Sequence, residues 1–319
     1  LALGKKVTVS GLEVDYGLNE PLAVDLTPSA QEDCVTPPFW VVEDSSTGAQ
    51  IFMLGSMHAG NADTKYPDYV LKAFNNSTWA APEMDTQAFS QNASLQRKCA
   101  AYLRLEDATA EQLLGDSYAD TLAFFTEKGI YQHDMEYFCP FFWASAASSL
   151  VTDEAGLDTS CGTESLFLGL AHSGRKEIRE IEGGEAQYRM MGGIPMSIQL
   201  STLAECVGDD NIAAQAEDTR ELYSAWSSFD DEFFREISVY DPDAVDNLSD
   251  WEEYYDMMYA SRQKLMADFI TDSLKSGELG FVFVGTLHFY AEPSIIMLLE
   301  DAGYTVNEIR PEIPADEAA

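Results

Sequence analysis

Apolar residues in the first third of the chain form short runs that are separated by turn residues. The runs over residues 39–42 and 51–54 flank the polar turn at residues 45–48, which predicts a β-hairpin entering the core. A short helix is predicted over residues 67–74, and the apolar run over residues 78–83 predicts another strand. These elements indicate a sheet at the centre of the fold.

The middle of the chain, residues 86–275, carries mainly the apolar spacing of three and four residues that is typical of helices. One predicted strand interrupts it over residues 176–181, followed by Glu182. We therefore expect a large helical insertion between the first and last strands of the sheet. The predicted helices span residues 108–128, 136–150, 162–174, 195–207, 210–226 and 251–275.

The end of the chain repeats the order of elements near its start. An apolar strand over residues 281–284 runs into a Gly-x-x-His motif at residues 285–288, and a helix over residues 293–302 and a strand over residues 305–309 follow. The earlier strand likewise ends in Gly-x-x-His, at residues 55–58. The repeat predicts two related halves with histidines at equivalent strand ends. We expect an α/β (α+β) fold with a mixed central sheet.

Composition and charge narrow the class of protein. A chain of 319 residues that is 46% hydrophobic and 12% aromatic can bury a substantial core. The 18 Lys and Arg residues against 55 Asp and Glu residues give a net charge of −37, which repels phosphate backbones and anionic bilayers. No apolar run reaches the roughly 20 residues of a membrane helix. We therefore expect no nucleic-acid partner and no direct membrane insertion.

The start of the chain and its cysteines bear on location and domain organisation. The sequence begins at Leu1 without a methionine, from which we expect a removed N-terminal signal and an extracytoplasmic protein, secreted or anchored as a lipoprotein. The five cysteines lack the C-x-x-C spacing of zinc or redox sites. They are interpreted as small buried hydrophobes, and disulfides in an extracytoplasmic protein are the alternative. We divide the chain into an N-terminal extension (1–36), a main domain (37–311) and an acidic tail (312–319).

The repeated motif singles out His58 and His288 among the four histidines. A glycine three residues before each of them removes a side chain where the backbone turns sharply or a ligand comes close. Histidine ligates divalent metals or acts as a general base, and carboxylates at neighbouring strand ends are its usual companions in either role. Glu83 and Glu182 stand at such positions. His133 and His172 are predicted to be surface residues.

An arginine lies on the apolar stripe of the last long predicted helix. The stripe consists of Tyr255, Met258, Arg262, Leu265 and Phe269. A buried guanidinium without a partner is unfavourable by several kcal/mol, so we expect Arg262 to meet a carboxylate or an anionic substrate group. Glu164, which opens a predicted helix, has an ordinary interpretation as a first-turn acid that complements the helix dipole.

Taken in order, several segments resemble the TraB/GumN family, which includes the Tiki proteases. The resemblance covers roughly residues 37–311. It rests on residues 40–42 and 51–58, Pro82-Glu83, residues 140–143, Gly162-Thr163-Glu164, Ile181-Glu182 with Gln187, Arg262, and residues 283–288 and 298–304. Two positions depart from the family's more usual residues, since Glu164 stands in place of aspartate and Gln263 in place of asparagine.

The resemblance implies one cleft that holds both Gly-x-x-His motifs, and divalent-metal-dependent peptidase chemistry. Our hypothesis is that His58, Glu83 and His288 hold a manganese, cobalt or zinc ion that activates water. Glu182 would be a proton shuttle or a further ligand, and Arg262 would stabilise an oxyanion or orient a carboxylate. Contacts with a peptide or another small substrate are predicted for Glu164, Gln187 and Tyr290.

Two alternatives use the same cleft. A non-catalytic protein could sequester a peptide or haem there, because members of the family are implicated in shutting off peptide pheromones and related folds bind haem. A metal-free hydrolase could use a histidine as its general base.

Overall fold

A mixed six-stranded sheet forms the centre of the fold in the computed structural model. The structure describes residues 31, 33–239 and 247–311, and the backbone of two short antiparallel strands, β1 (Val7–Val9) and β2 (Leu12–Val14). The strands of the large sheet are β3 (Phe39–Asp44), β4 (Ala49–Ser56), β5 (Trp79–Pro82), β6 (Glu177–Ile178), β7 (Gly280–Gly285) and β8 (Thr305–Glu308), in the order β6-β5-β7-β4-β3-β8. The predicted α/β class and hairpin β3–β4 are confirmed.

Helices make up most of the chain between β5 and β7, as the sequence predicts. Helix α1 (Asp68–Asn76) lies between β4 and β5 in the chain, and α14 (Ile295–Asp301) lies between β7 and β8. The insertion contains α2 (Thr86–Gln91), α3 (Ala93–Ala100), α4 (Ala110–Leu114), α5 (Tyr118–Glu127), α6 (Pro140–Glu154), α7 (Thr163–Gly174), α8 (Gly184–Gly193), α9 (Met196–Glu205), α10 (Asp209–Ser228), α11 (Asp231–Ile237), α12 (Leu248–Tyr255) and α13 (Ser261–Leu274).

Several predicted boundaries differ from the structure. The helix predicted over residues 108–128 is broken at Gly115, whose φ of 53° is not helical. A π-helical turn, Asp256–Ala260, separates α12 from α13. The predicted strand at residues 176–181 shortens to β6, although the N–H of Ile181 still donates to the carbonyl of Pro82. Helices α2, α3, α8 and α11 were not individually predicted because their apolar repeats are short.

The two Gly-x-x-His motifs follow neighbouring parallel strands. Strand β4 pairs with β7 in a register that sets Gly55 opposite Val284 and Ser56 opposite Gly285. A Cβ atom at Gly55 would lie 2.8 Å from Oγ1 of Thr286, so glycine is required where the two motifs approach each other. Strand β5 pairs in parallel with the other edge of β7. The ends of β4, β7 and β5 therefore bring three predicted site residues to one edge of the sheet.

The sheet is covered on both faces, as expected for strands with nearly continuous apolar residues. On one face Phe281 and Phe283 of β7 pack with residues of α1, α7 and α10. On the other face Val282 and Val284 pack with residues of α13 and α14. A separate cluster within the insertion joins α5, α6 and α9 around the buried Trp143. The strands whose ends carry the site are thus packed between helices on both faces of the sheet.

The tail at residues 312–319 and most of residues 1–36 lie outside the described part of the chain. In the described ranges no helix is long and apolar enough to cross a membrane. All five cysteines are described and free, and Cys99, Cys139 and Cys206 are buried.

Candidate active site

The carboxylate of Glu83, directly after β5, is the centre of a hydrogen-bond network. Its Oε1 accepts from the N–H of Gly285 at 2.8 Å, and its Oε2 accepts from Nη2 of Arg262 at 2.6 Å and from Nε2 of Gln187 at 3.0 Å. Burial by itself raises the pKa of this carboxyl, but Arg262 and two neighbouring histidines outweigh it and lower the pKa of Glu83 to about 2. Glu83 is therefore an anion at neutral pH.

Arg262 bridges two buried carboxylates. Its Nε donates to Oε1 of Glu182 at 2.7 Å, and its Nη2 also donates to Oε2 of Glu182 at 2.9 Å. The side chains of Arg262 and Glu182 are only 12% and 5% exposed. Gln187 donates to Glu182 as well as to Glu83. The pairing expected for an arginine on the apolar stripe is present, with two carboxylates of the predicted site as partners.

His288 is a buried imidazole beside Glu83. Its Nε2 lies 3.8 Å from Oε1 of Glu83, and its buried Nδ1 has no hydrogen-bond partner among the described atoms. Burial lowers the pKa of His288 to about 4, so the ring is neutral at pH 7. The buried amide of Gln263 donates to the carbonyls of Ala291 and His288 at 2.9 and 3.4 Å, and this holds the turn that carries the histidine.

His58, by contrast, is on the open side of the site, with a side chain that is 74% exposed. Its Nδ1 lies 3.1 Å from Oε1 of Glu164, and the hydroxyl of Ser56 donates to the same oxygen at 2.5 Å. The charge of Glu164 raises the pKa of His58, an effect that solvent weakens at so exposed a ring. Glu164 therefore contacts a histidine of the repeated motif in addition to lying in the first turn of α7.

The start of α7 is joined to the turn that carries His58. The N–H of Thr163 donates to the carbonyl of Met57 at 2.9 Å, and the hydroxyl of Thr163 accepts from the N–H of Met57 at 3.0 Å. A Cβ atom at Gly162 would lie 2.1 Å from the carbonyl oxygen of His58. The glycine of the Gly-Thr-Glu segment is thus needed for close backbone approach, which the sequence alone did not indicate.

Two cavities meet at His58 and Glu83, which line both of them. The first cavity has a volume of about 200 Å³ and is also lined by Arg262 and His288. The second cavity has a volume of about 390 Å³ and is also lined by Glu164 and Gln187. Six of the eight predicted site residues thus line this cleft, and Glu182 is joined to it through its hydrogen bonds to Arg262 and Gln187.

Tyr290 also lines neither cavity. Its ring stacks on Phe234 with centroids 5.2 Å apart, and it borders a different depression beside Arg235 and Glu292. Contact of Tyr290 with a substrate stays a prediction. Surface positions are found for His133, which is exposed, and for His172, which pairs with Asp85.

Tyr259 lies at the site although it is not among the residues predicted from the sequence. It belongs to the π-helical turn, lines the first cavity, and has its ring centroid 5.9 Å from that of His288. The signal that could have found it is its spacing of three residues from Arg262 along one helical segment. π-Helical turns are also frequent at functional sites.

The chemistry and spacing of the predicted metal ligands can be compared with the needs of a divalent ion. Two atoms that are each about 2.0–2.2 Å from one ion lie at most about 4 Å apart, which suits the 3.8 Å between His288 and Glu83. His58 keeps Nε2 free while a carboxylate contacts its Nδ1, a common arrangement behind metal-bound histidines. Among the described residues no three His, Cys, Asp or Glu side chains form a complete group. The donor types fit, and a full set requires His58 to turn towards Glu83.

Comparison with known proteins identifies the family. Residues 38–308, most of the chain, match the model of the TraB/PrgY/gumN family. No curated protein and no solved structure matches the chain. The match agrees with the resemblance carried by the ordered motifs.

Proposed function

Because the chain belongs to the TraB/PrgY/gumN family, we propose that it is a hydrolase, specifically a metal-dependent peptidase, that acts in the cleft between the two Gly-x-x-His motifs. The observation that carries the proposal is that both histidines line a single cavity with Glu83. An anionic carboxylate, a neutral buried imidazole and a second, accessible imidazole are the side-chain types that metal-dependent hydrolysis uses. An extracytoplasmic location belongs to the same proposal.

His58, Glu83 and His288 would hold the ion, with manganese, cobalt and zinc as candidates. Such an ion, when bound, supplies a water of lowered pKa and polarises the carbonyl that is attacked. Glu164 keeps the ring of His58 oriented by its contact with Nδ1. Gly285 fixes one oxygen of Glu83, so this carboxylate cannot rotate freely.

Arg262 supports the site in two ways. Its hydrogen bonds to Glu83 and Glu182 hold the three side chains in a fixed arrangement. Glu182 also accepts from Gln187, so its role in this proposal is to position Arg262 and Gln187. A guanidinium has five N–H donors. The Nε, both donors of Nη2 and one of Nη1 are used within the protein. The remaining Nη1 donor is available to a substrate oxygen on which negative charge develops.

A metal-free hydrolase is the second candidate. The observation that favours it is the neutral His288 with Nε2 on the side of Glu83, an arrangement in which the imidazole can accept a proton from water. A protein that only sequesters a peptide would use the same cleft without turnover.

The test combines metal analysis of protein purified without chelators with a fluorogenic peptide library. We expect turnover that chelation abolishes and added manganese, cobalt or zinc restores, and that His58→Ala and His288→Ala each abolish. His133→Ala, at an exposed position outside the cleft, is the matched control and should retain full turnover. Full turnover in excess chelator would favour the metal-free mechanism. A protein that retains a peptide but never cleaves one would contradict the hydrolase proposal.

A further inference from the structure

We infer that the cleft distinguishes the two residues beside the scissile bond, taking a large apolar side chain on one side and a neutral or basic polar side chain on the other. This inference rests on the proposed peptidase function and adds the substrate class. It comes from the contrast between the walls of the two cavities that meet at His58 and Glu83.

The first cavity has an apolar half, formed by residues of the helical insertion and of the turn after β7. Trp226 and Phe234 are fully buried behind it. Half-buried side chains form its wall, namely Leu222, Met258, Tyr259 and Leu287. A cavity of about 150 Å³ with apolar walls holds a benzene ring. The whole first cavity, including the part beside His58 and Glu83, has a volume of about 200 Å³, so it gives room for one large apolar side chain next to the reacting bond, and burial of that side chain is favourable.

Nearly all residues that line the second cavity carry a side-chain group that can form hydrogen bonds. Thr86, Thr159 and Ser160 are exposed residues of its wall, and Ser165 lies beside them. Glu164 adds a carboxylate on this side. An acidic side chain would be repelled by Glu164 and by the net charge of −37, whereas a hydroxyl, amide or ammonium group would be accepted.

The boundary between the cavities lies at the site itself. His58 and Glu83 belong to both walls, so a peptide bond held there has one neighbouring side chain in each cavity. The apolar wall is also tied to the charged centre, because Nη1 of Arg262 donates to the carbonyl of Met258 at 3.3 Å. The residues that select the substrate's side chain are therefore in direct contact with those that place the peptide bond to be cleaved.

The experiment uses the full chain and fluorogenic peptides that are identical except at the two residues flanking the scissile bond. The pairs are Leu-Ser, Ala-Ser, Asp-Ser and Leu-Asp, each also in reversed order, and product sequencing gives the cleavage position. We expect one orientation of the Leu-Ser pair to be cleaved best. Replacing Leu by Asp, or Ser by Asp, should lower kcat/KM at least about tenfold.

Leu222→Phe fills the apolar half and should lower the ratio of kcat/KM for Leu-Ser over Ala-Ser at least about tenfold. Leu170→Phe is the matched control, because Leu170 is 37% exposed and lines neither cavity. If Leu222→Phe does not fold, as judged by circular dichroism, Leu222→Ala replaces it and should raise kcat/KM for an added Trp-Ser peptide relative to the Leu-Ser peptide.

The outcomes separate this inference from the proposed function. Hydrolysis that is indifferent to the flanking residues, or an equal ratio in both phenylalanine variants, would overturn the inference and leave the hydrolase proposal intact. Absence of turnover on every peptide would overturn the hydrolase proposal. Calorimetric binding of the Leu-Ser peptide then decides the inference, which is supported if Leu222→Phe alone weakens binding and overturned if it does not.

Discussion

The carboxylate of Glu83 accepts a hydrogen bond of 2.8 Å from the backbone N–H of Gly285, and this bond joins the end of β5 to the second Gly-x-x-His turn. The same carboxylate receives Arg262 and Gln187 on its other oxygen. Three donors thus converge on one anion in a largely buried place. Glu83 is consequently a structural centre of the cleft as well as a candidate ligand.

Glu83→Gln should be strongly destabilising although it preserves shape. A glutamine offers one acceptor oxygen where three donors converge, and its NH2 group would face a donor. We expect the free energy of unfolding in urea to fall by about 3–5 kcal/mol, the usual effect of removing one partner from a buried pair. The control is Glu177→Gln, an exposed carboxylate paired twice with Arg179, which should change it by less than about 1 kcal/mol. Equal effects of the two substitutions would contradict the buried network.

Arg262→Ala should cost about 3–5 kcal/mol of stability, because it leaves two buried carboxylates without their shared counter-charge. Arg262→Lys keeps the charge but cannot reproduce the paired contacts with Glu182, so it should recover part of the stability and little of the turnover. Thermal melting and peptide hydrolysis are measured on the same samples. Arg189→Ala, which removes an arginine that is 65% exposed, should leave both nearly unchanged. An unchanged melting temperature in Arg262→Ala would show that the positive charge of Arg262 does not stabilise the folded protein.

The sequence was sufficient to predict the features that depend on local patterns. The apolar runs at residues 39–42 and 51–54 predicted the hairpin, and the repeated glycine and histidine spacing predicted two equivalent strand ends. The helical stripe around Arg262 predicted that it would be paired, because a charge among apolar positions needs a partner. The stripe does not indicate which carboxylates pair with Arg262.

The features that could not be predicted depend on contacts between distant segments or on local breaks. Ser56 and Glu164 are 108 residues apart, and nothing in the local pattern of either marks their hydrogen bond. The break at Gly115 leaves the apolar spacing on both sides intact, so periodicity alone extends one helix across it.

Lys176 provides a pH-dependent test of burial away from the cleft. Its ammonium donates to the carbonyl of Ser77 and lies 4.9 Å from the ring centroid of Phe74, and burial lowers the pKa of Lys176 to about 8. Between pH 8 and the usual lysine pKa of about 10.4, the unfolded chain binds a proton that the folded chain lacks. The stability of the protein relative to Lys176→Met should therefore rise over this interval, by up to about 1.4 kcal/mol per pH unit.

Urea unfolding at pH 7, 8, 9 and 10 measures that difference. Lys264→Met, at a position that is 70% exposed, controls for removal of a lysine from the surface. A difference between protein and Lys176→Met that stays flat, or that falls as the pH rises, would show that the ammonium is not penalised by burial.

Gly162→Ala tests whether the start of α7 sets the position of His58. The backbone of Gly162 has a φ of −72°, which alanine also adopts, so the only obstacle is the methyl group, which would lie 2.1 Å from the carbonyl oxygen of His58. The His58 turn must therefore move. We expect a loss of about 1–3 kcal/mol in the free energy of unfolding from overpacking, and a fall in turnover that can reach about 10²-fold if the turn shifts by about 1 Å.

Gly169→Ala is the matched control within the same helix. A Cβ atom there meets nothing within 4 Å, so alanine should stabilise the protein by about 0.5–1 kcal/mol through its better helix propensity and leave turnover unchanged. Opposite signs for the two glycine substitutions would support the coupling of α7 to His58. If Gly162→Ala is as stable as the unsubstituted protein and hydrolyses peptides at the same rate, the His58 turn can move without loss of function. That result would contradict the inference that α7 positions His58.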